Sequence, residues 1–316
     1  MSRIQTVLGS IAPGELGFCQ SHEHLCILPG QPARCNPALR IEDLLLSARE
    51  LMDYHAKGCC GIVDAQPLGC GRDPLFLREI SQRSGVHIIA STGFHKQMFY
   101  PNRHWIHDWS QERLARLFES ELRQGMFLPA DDGEPEIRTH ILAGQLKAAL
   151  EQGWVLRRGK ALLGACAAAQ KKTGAPLMIH TDPGCDPLAA ADFLEAQGVE
   201  LHRVAFCHMD RTEADLSVHW TLCKRGAYME YDTVAREKYH TDEHELEIIA
   251  ALLDAGYQSQ LLVSLDVTRE RLLHYGGQIG LCYILAQFIP RCLAYGIPQK
   301  TLQAVFLDNP SRFFSI

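Results

Sequence analysis

Residues 16–25 read Leu-Gly-Phe-Cys-Gln-Ser-His-Glu-His-Leu, an apolar segment that ends in two histidines. In an extended strand, residues i and i+2 lie on the same face, so His22 and His24 can bind one metal ion together. Glu23 lies between them and points to the opposite face. Because exposed strands also carry such pairs by chance, the prediction of a metal site depends on further ligands elsewhere in the chain.

Short apolar segments typical of strands alternate with longer amphipathic segments typical of helices along the rest of the chain. The predicted strands are Leu16–Gln20, Gly61–Ala65, Val86–Ser91, Ile141–Lys147, Pro176–His180, Arg203–Cys207, Ala227–Tyr231 and Leu261–Leu265. The predicted helices are Ile41–Ala56, Asp73–Ser84, Gln111–Gln124, Arg157–Thr173, Pro187–Gln197, Glu213–Lys224 and Glu243–Ala255. This alternation predicts an α/β fold, a (β/α)8 TIM barrel that forms a single domain over residues 1–316. A doubly wound open sheet is the alternative, but no GxGxxG motif follows a strand to favour dinucleotide binding.

Aspartates and glycines mark the ends of the predicted helices. Asp43, Asp73 and Asp242 fall near helix starts, where a carboxylate caps free amides and interacts favourably with the helix dipole. Glycines follow the helices where a left-handed residue ends them, at Gly58, Gly85, Gly174, Gly198, Gly226 and Gly256. The polar segment Leu128–Glu136, which contains Asp131-Asp132-Gly133, is predicted to be a loop or hairpin before the fourth strand.

Composition and charge exclude several classes of protein. With 316 residues and 47% hydrophobic content, the chain can bury a large core. A net charge of -6 and a pI of about 6.2 exclude a basic surface for nucleic acid. No apolar segment approaches the ~20 residues that cross a membrane, and residues 1–6 lack the features of a signal peptide. Because the cysteines lie mostly in apolar segments, we expect reduced thiols and a cytoplasmic protein that binds neither nucleic acid nor membranes.

Ionisable side chains stand at or just beyond the C-terminal ends of five predicted strands. Because all strands of a (β/α)8 barrel end at one mouth, these side chains are expected to converge there. A buried ionisable group needs a partner, and one metal ion can satisfy several such groups. A single histidine at a strand end is usually an ordinary polar residue, but chance accounts poorly for the whole set. The set is His22 and His24 (first strand), Lys147 (fourth), His180 (fifth), His208 (sixth) and Asp266 (eighth).

These side chains lie within motifs that resemble the phosphotriesterase family of the amidohydrolase superfamily, in particular its branch of phosphotriesterase homology proteins and phosphorylated sugar lactonases. The resemblance extends from Gly14 to the end of the chain, and the motifs are specific in combination. The matching motifs are Ser21-His22-Glu23-His24, Gly71-Arg72-Asp73, Ser91-Thr92-Gly93-Phe94, Ala143-Gly144-Gln145-Leu146-Lys147, Ile179-His180-Thr181, Cys207-His208, Ser264-Leu265-Asp266-Val267-Thr268-Arg269 and Asp308-Asn309-Pro310-Ser311-Arg312-Phe313-Phe314.

The resemblance implies a binuclear centre of divalent cations, with zinc as the first candidate and manganese among the alternatives. In part of this branch a glutamate bridges the two ions from the neighbouring position, which here is Ala148. The bridging ligand would therefore be Lys147 as an N6-carboxylated side chain; an unmodified lysine that extends from a strand end towards solvent is the alternative. The implied ligands are His22, His24 and Asp266 for the more buried ion, and His180 and His208 for the more exposed one.

The expected reaction is hydrolysis. Two cations lower the pKa of a bridging water so that hydroxide exists near neutral pH, and they polarise the substrate's carbonyl or phosphoryl oxygen. Asp266 is the expected catalytic residue, which takes the proton of the hydroxide and passes it to the leaving group. The expected substrate is a small ester or lactone, including phosphorylated or carboxylated sugar lactones. A small anionic amide or phosphoester, and a barrel that keeps its metal without catalysis, are the alternatives.

Substrate-binding residues are expected in the loops at the mouth. Arg236, Lys238 and Arg269 are predicted to form an anion clamp, with the hydroxyl group of Tyr239 beside them. A solvated face is the equal alternative, because Glu237 and Glu270 are interspersed with these cations. The segment Phe94–Tyr100 is predicted to form one wall, and His104 and His107 to be packing residues. The segment Leu281–Ile289 fits either internal packing or the contact of a homodimer.

Overall fold

Eight parallel strands surround the centre of the molecule in the computed structural model, which describes residues 2–130 and 133–316. They are β3 (Phe18–Glu23), β4 (Cys59–Asp64), β5 (His87–Gly93), β6 (Gln145–Leu150), β7 (Leu177–Thr181), β8 (Val204–Cys207), β9 (Tyr228–Tyr231) and β10 (Leu261–Val263), preceded by the antiparallel pair β1 (Ile4–Thr6) and β2 (Gly9–Ile11). Each strand pairs with its sequence neighbours, and the backbone amide of Asp266 donates to the His22 carbonyl (3.1 Å) beside the seam between β10 and β3. The prediction of a (β/α)8 barrel is confirmed, and the doubly wound alternative is wrong because the strand order never reverses.

Helices cover the outside of this barrel. They are α1 (Gln31–Cys35), α2 (Leu44–Ala56), α3 (Pro74–Ser84), α4 (Gln111–Arg123), α5 (Arg157–Thr173), α6 (Pro187–Ala196), α7 (Met209–Thr212), α8 (Leu216–Lys224), α9 (Asp242–Asp254), α10 (Ile289–Tyr295), α11 (Gln299–Gln303) and α12 (Asn309–Phe314). Within residues 2–130 and 133–316, every helix is too short or too polar to cross a bilayer. The predicted bounds of the seven main helices agree with α2–α6, α8 and α9 to within three residues.

The structure tests three local predictions, on helix caps, on the polar loop and on the glycines after helices. Thr241 rather than Asp242 caps α9, whereas the carboxylates of Asp43 and Asp73 do accept from the first amides of α2 and α3. Leu128 donates to the Ile137 carbonyl (2.8 Å), so the flanks of the predicted hairpin pair as expected, while Asp131 and Asp132 lie outside the described residues. The six predicted glycines all adopt positive φ.

The fourth barrel strand begins later than predicted, so Lys147 lies inside β6 rather than at its end. The residues before β6 bond elsewhere, since the Ile141 carbonyl accepts from Met126, and Gly144 allows a close approach to β1 because a Cβ there would lie 2.3 Å from the Gln5 carbonyl oxygen. Gly93 pairs with Lys147 at φ +113, and its missing side chain leaves room for the Lys147 carbonyl. The lysine side chain therefore extends from a fully buried strand.

A buried ion pair joins α4 to the loop after β4. Arg72 and Glu121 are both fully buried, and they form two hydrogen bonds of 3.0 and 2.8 Å. The guanidinium also donates to the carbonyls of Ser91 and Phe127, and Glu121 accepts from the hydroxyl group of Thr92 at 2.5 Å. The Gly-Arg-Asp motif of the sequence therefore holds the outer helix layer to the barrel.

The Glu121→Ala substitution is expected to lower the free energy of unfolding by about 3–5 kcal/mol, because Arg72 would keep a buried charge without its partner. Chemical denaturation measures this difference. Glu119→Ala is the matched control on the same helix, since Glu119 is partly exposed and its pairs with Arg123 and Lys172 contribute less than about 1 kcal/mol. Equal losses in the two variants would contradict this role for Arg72.

Candidate metal centre

Four of the six predicted ligands, His24, His180, His208 and Asp266, line a cavity of about 340 Å³ at the C-terminal end of the barrel, and His22 and Lys147 contact them or each other beneath it. The shortest contacts join Lys147 Nζ to His22 Nε2 (3.1 Å), His24 Nε2 to Asp266 Oδ1 (3.4 Å), and His180 Nδ1 to His208 Nε2 (2.6 Å). The rings of His22 and His208 lie 5.0 Å apart, which connects the two groups. The structure thus brings together residues that are up to 244 positions apart in the chain, from His22 to Asp266.

The backbone around this cluster is held in unusual conformations. His208 and Asp266, which follow β8 and β10, have φ values of +64° and +48°, in the left-handed region that non-glycine residues rarely adopt. Glu23 fixes the second of these turns, because its carboxylate accepts from the amides of Leu265 and Val267 at 2.9 Å each. The residue between the two histidines of β3 therefore positions Asp266.

Asp232, which was not among the predicted site residues, holds two of the histidines. Its carboxylate accepts from His208 Nδ1 at 2.6 Å and lies 3.3 Å from His22 Nδ1. Burial raises the pKa of Asp232, but the two histidines outweigh it and hold that pKa well below its usual range. A carboxylate on the outer nitrogen of an imidazole directs the other nitrogen towards a metal ion. Asp232 directly follows the seventh predicted strand, which ends at Tyr231, and this position could have identified it from the sequence.

Asp182 orients His180 in the same way, and it too was not among the predicted site residues. It accepts from His180 Nε2 at 2.8 Å, and its other oxygen forms an ion pair with Lys96 at 2.6 Å. Because carboxylates fix the proton on the outer nitrogens of His180 and His208, the lone pairs of both inner nitrogens face each other. Two such lone pairs 2.6 Å apart repel unless a cation lies between them.

The protonation states of the histidines also fit metal binding. Burial lowers the pKa of His22 to about 4, and it lowers the pKa of His180 to about 4. Both imidazoles are therefore neutral at neutral pH and offer free nitrogens, which metal ions require. The cluster of His22, His24 and Asp266, and that of His208, Asp232 and Asp266, each place ligand atoms within 4.8 Å of one another. With Asp232 on the outer nitrogens, the cluster of His22, His24 and Asp266 and the facing nitrogens of His180 and His208 fit two divalent cations.

The predicted anion clamp is only partly assembled. Arg236, Lys238 and Tyr239 all line the cavity, but the guanidinium of Arg236 is buried and donates to Asp266 Oδ2 at 2.9 Å. Arg269 does not reach the cavity: it donates to the Arg40 carbonyl (3.2 Å) and lies 5.2 Å from the ring of Tyr275. Its predicted place beside Lys238 is therefore wrong, because the short helical turn after Thr268 directs it to the barrel's flank.

Arg211 also lines the cavity, although it was not among the predicted site residues. Its guanidinium lies 3.4 Å from Asp266 Oδ2 and 4.6 Å from the centre of the Tyr239 ring. The opposite wall is formed by His95, Lys96 and Phe99, in the segment predicted for it. His104 and His107 bond to backbone carbonyls outside this cavity, as predicted for packing residues.

The family model for the phosphotriesterase family matches residues 2–314. The chain therefore belongs to the phosphotriesterase family, and it is a hydrolase. The N-acetyltaurine hydrolase of Xenopus tropicalis is 29% identical over 99% of this chain and 98% of the relative. A lactonase structure from Listeria monocytogenes has a TM-score of 0.90 at 28% identity and is matched over 99% of both chains. The crystal structure of the Escherichia coli phosphotriesterase homology protein, complexed with phosphate in its active site, has a TM-score of 0.85 at 27% identity, over 95% of this chain and 99% of that one.

Proposed function

We propose that this protein is a binuclear metal-dependent hydrolase of small anionic lactones or esters. The observation that carries the proposal is the 2.6 Å approach of His180 Nδ1 to His208 Nε2 next to the cluster of His22, His24 and Asp266. The first two residues would hold the more exposed cation and the other three the more buried one. Two bound cations, with zinc as the first candidate, would supply an activated water and polarise the bond to be cleaved.

Lys147 is assigned as the bridge between the two ions, in N6-carboxylated form. Its side chain is fully buried, and burial lowers its pKa, which favours the neutral amine that reacts with carbon dioxide. An ammonium group 3.1 Å from His22 Nε2 would repel a cation, whereas a carbamate supplies two anionic oxygens. The amine also contacts the Met178 sulfur at 3.5 Å.

Asp266 and His95 are assigned to proton transfer and substrate orientation. Although burial raises the pKa of Asp266, Arg236, His24 and Arg211 hold it well below its usual range, so this carboxylate is ionised at neutral pH. The amide of Lys96 donates to His95 Nδ1 at 2.8 Å, which places the ring proton on Nε2. Because His95 lines the cavity, this N–H group is available to donate to a substrate oxygen.

The walls of the cavity support a substrate with one anionic end. Lys238 and Tyr239 lie opposite the apolar side chains of Leu39 and Phe99, above the proposed metal site. Lys238 forms no ion pair with a described carboxylate, and its amine lies 4.7 Å from the ring of Tyr239. The phosphate in the Escherichia coli relative agrees with an anionic group here. The names of the curated relatives favour an amide of an anionic amine as the second candidate.

Hydrolysis assays on the zinc-loaded protein test this proposal. The panel compares phosphorylated and carboxylated sugar lactones, N-acetyltaurine and other acyl amides, and phosphate mono- and triesters. We expect the highest kcat/KM for an anionic lactone and a complete loss of turnover after chelation. A higher value for the amides would assign the second candidate, and turnover that survives chelation would overturn the metal-dependent mechanism.

The Lys238→Met variant is expected to raise KM for an anionic substrate about tenfold with kcat little changed, which corresponds to about 1.5 kcal/mol for one charge-assisted hydrogen bond. A neutral analogue of the same size should show no change. Lys224→Met, on the exposed end of α8, is the matched control for charge removal. An equal rise for the neutral analogue would mean that Lys238 does not bind the anionic end.

The cellular location and assembly of the protein remain part of this proposal. All cysteines are free, and most of them are buried, which supports the reducing conditions of the cytoplasm. Leu293 and Tyr295 are 42% and 50% exposed on α10, next to the segment Leu281–Ile289, and they support a homodimer contact there. Analytical ultracentrifugation tests this contact: wild type should sediment as a dimer and Leu293→Glu as a monomer.

A further inference from the structure

We propose that Asp210, His240 and Glu245 form a separate divalent cation site that holds the loop of residues 232–240 to the barrel. The three residues come from α7, the end of that loop and α9, and none of them belongs to the proposed metal centre. Their ligand atoms all lie within 4.8 Å of one another. The inference concerns a different set of side chains and goes beyond the proposed hydrolase function.

Three of the four oxygens of the two carboxyl groups lack a hydrogen-bond donor among the described residues. Glu245 is fully buried, and neither of its oxygens accepts a hydrogen bond from a described residue. Asp210 is 6% exposed; its Oδ2 accepts from the Thr233 amide at 2.6 Å, but its Oδ1 has no partner among residues 2–130 and 133–316. No lysine or arginine of the described chain forms an ion pair with either group. The two buried carboxyl groups interact with each other, so both can stay ionised together only with a positive charge between them.

His240 supplies the second and independent indication of a ligand. Its side chain is only 10% exposed, and Nδ1 lies 3.1 Å from the Thr241 carbonyl, which can only accept a hydrogen bond. The ring proton is therefore on Nδ1, and the lone pair of Nε2 is free. That nitrogen lies 3.3 Å from a Glu245 oxygen, and it makes no hydrogen bond with any described group. A lone pair aimed at a carboxylate is unfavourable unless a cation lies between them.

Arg211 interacts electrostatically with Asp210, but its side-chain contacts lie at the other site. It contacts Asp266 at 3.4 Å and lies 4.0 Å from Asp232, on the side of the proposed metal centre. One imidazole nitrogen with two carboxylate oxygens is a ligand set that suits zinc or manganese, at bond lengths of about 2.0–2.2 Å. Small rotations of the three side chains would bring their atoms to these distances.

The consequence of a bound ion would be a fixed loop. Thr233, at the start of the loop, is bonded to Asp210, and His240 stands at its end. An ion that joins these points to Glu245 would restrain the segment that carries Lys238 and Tyr239 over the cavity. The site therefore acts on loop order and not on the bond that is cleaved.

Calorimetric titration of the metal-stripped full-length protein with zinc, and separately with manganese, tests the inference. Glu245→Gln keeps the shape of the side chain and removes its charge, and we expect it to bind one equivalent fewer than wild type. Glu243→Gln, exposed in the first turn of the same helix, should bind as many ions as wild type. The test rests on the difference in metal stoichiometry between wild type and Glu245→Gln. Its result therefore does not depend on whether the hydrolase proposal holds.

His240→Asn, on the loop, provides a variant that does not disturb the core. It should lose the same equivalent, and zinc should raise its thermal unfolding midpoint less than that of wild type. If Glu245→Gln fails to fold, the His240→Asn titration decides alone. Equal stoichiometry in wild type and in the folded variants would overturn the inference, since the two carboxylates would then share a proton instead of a metal ion.

Discussion

The Asp266→Asn variant is expected to lower kcat/KM by about 10³-fold or more, near the upper range of general acid–base effects. The amide cannot accept a proton, and it removes the negative charge that faces His24 Nε2 at 3.4 Å and His22 Nε2 at 3.9 Å. The free carboxylate is ionised at neutral pH, because Arg236 and Arg211 outweigh the effect of burial on its pKa. Steady-state kinetics of the zinc-loaded variant measure the loss.

Asp254→Asn, at the exposed end of α9, is the matched control for the same chemical change. It should keep wild-type kinetics, and thermal unfolding of both variants shows whether the barrel is intact. An Asp266→Asn protein that folds and retains more than a tenth of wild-type kcat/KM would contradict the role of this carboxylate.

Replacing Lys147 with methionine is expected to abolish bridging of the two cations and to reduce turnover by about 10³-fold or more. Methionine preserves the apolar stem beside Met178, so the fold should persist. The metal-free variant is expected to be at least as stable as metal-free wild type, because a buried amine without a carboxylate partner is removed. Metal analysis, kinetics and denaturation together measure these effects.

Carbon dioxide provides an independent test of the carbamate at Lys147. Metal uptake by stripped wild-type protein should be slow in buffer freed of carbon dioxide and should recover on addition of bicarbonate. Lys147→Met should show no such dependence, and Lys160→Met, an exposed lysine of α5, should behave as wild type. Metal uptake in wild type that is indifferent to bicarbonate would mean that Lys147 is not carboxylated.

The barrel and the convergence of the six side chains were predictable because they depend on patterns within single segments. Buried apolar strands that end in a histidine or an aspartate, such as those before His180 and Asp266, are visible in the sequence alone. The error in the fourth strand arose because the residues before Gly144 are as apolar as a barrel strand. Contacts distant in sequence place them outside it: the Ile141 carbonyl accepts from the Met126 amide (2.7 Å), and Gly144 packs against Gln5.

The supporting carboxylates were not predictable in the same way. Asp182 and Asp232 follow strands, but their function depends on which ring nitrogen they face, which the sequence does not encode locally. Arg269 looked equivalent to Arg236, yet a short helical turn directs one to Tyr275 and the other to Asp266. Contacts of this kind depend on side-chain direction at loop ends and not on residue type.

Anomalous diffraction from crystals of the zinc-loaded protein tests the central claim most directly. We predict two zinc peaks about 3.5–4 Å apart, the separation typical of two-metal sites. One should lie among His22, His24 and Asp266, the other between His180 and His208, with density for a carboxyl group on Lys147 Nζ joining them. A single peak, or none, at this end of the barrel would contradict the binuclear centre and the hydrolytic mechanism derived from it.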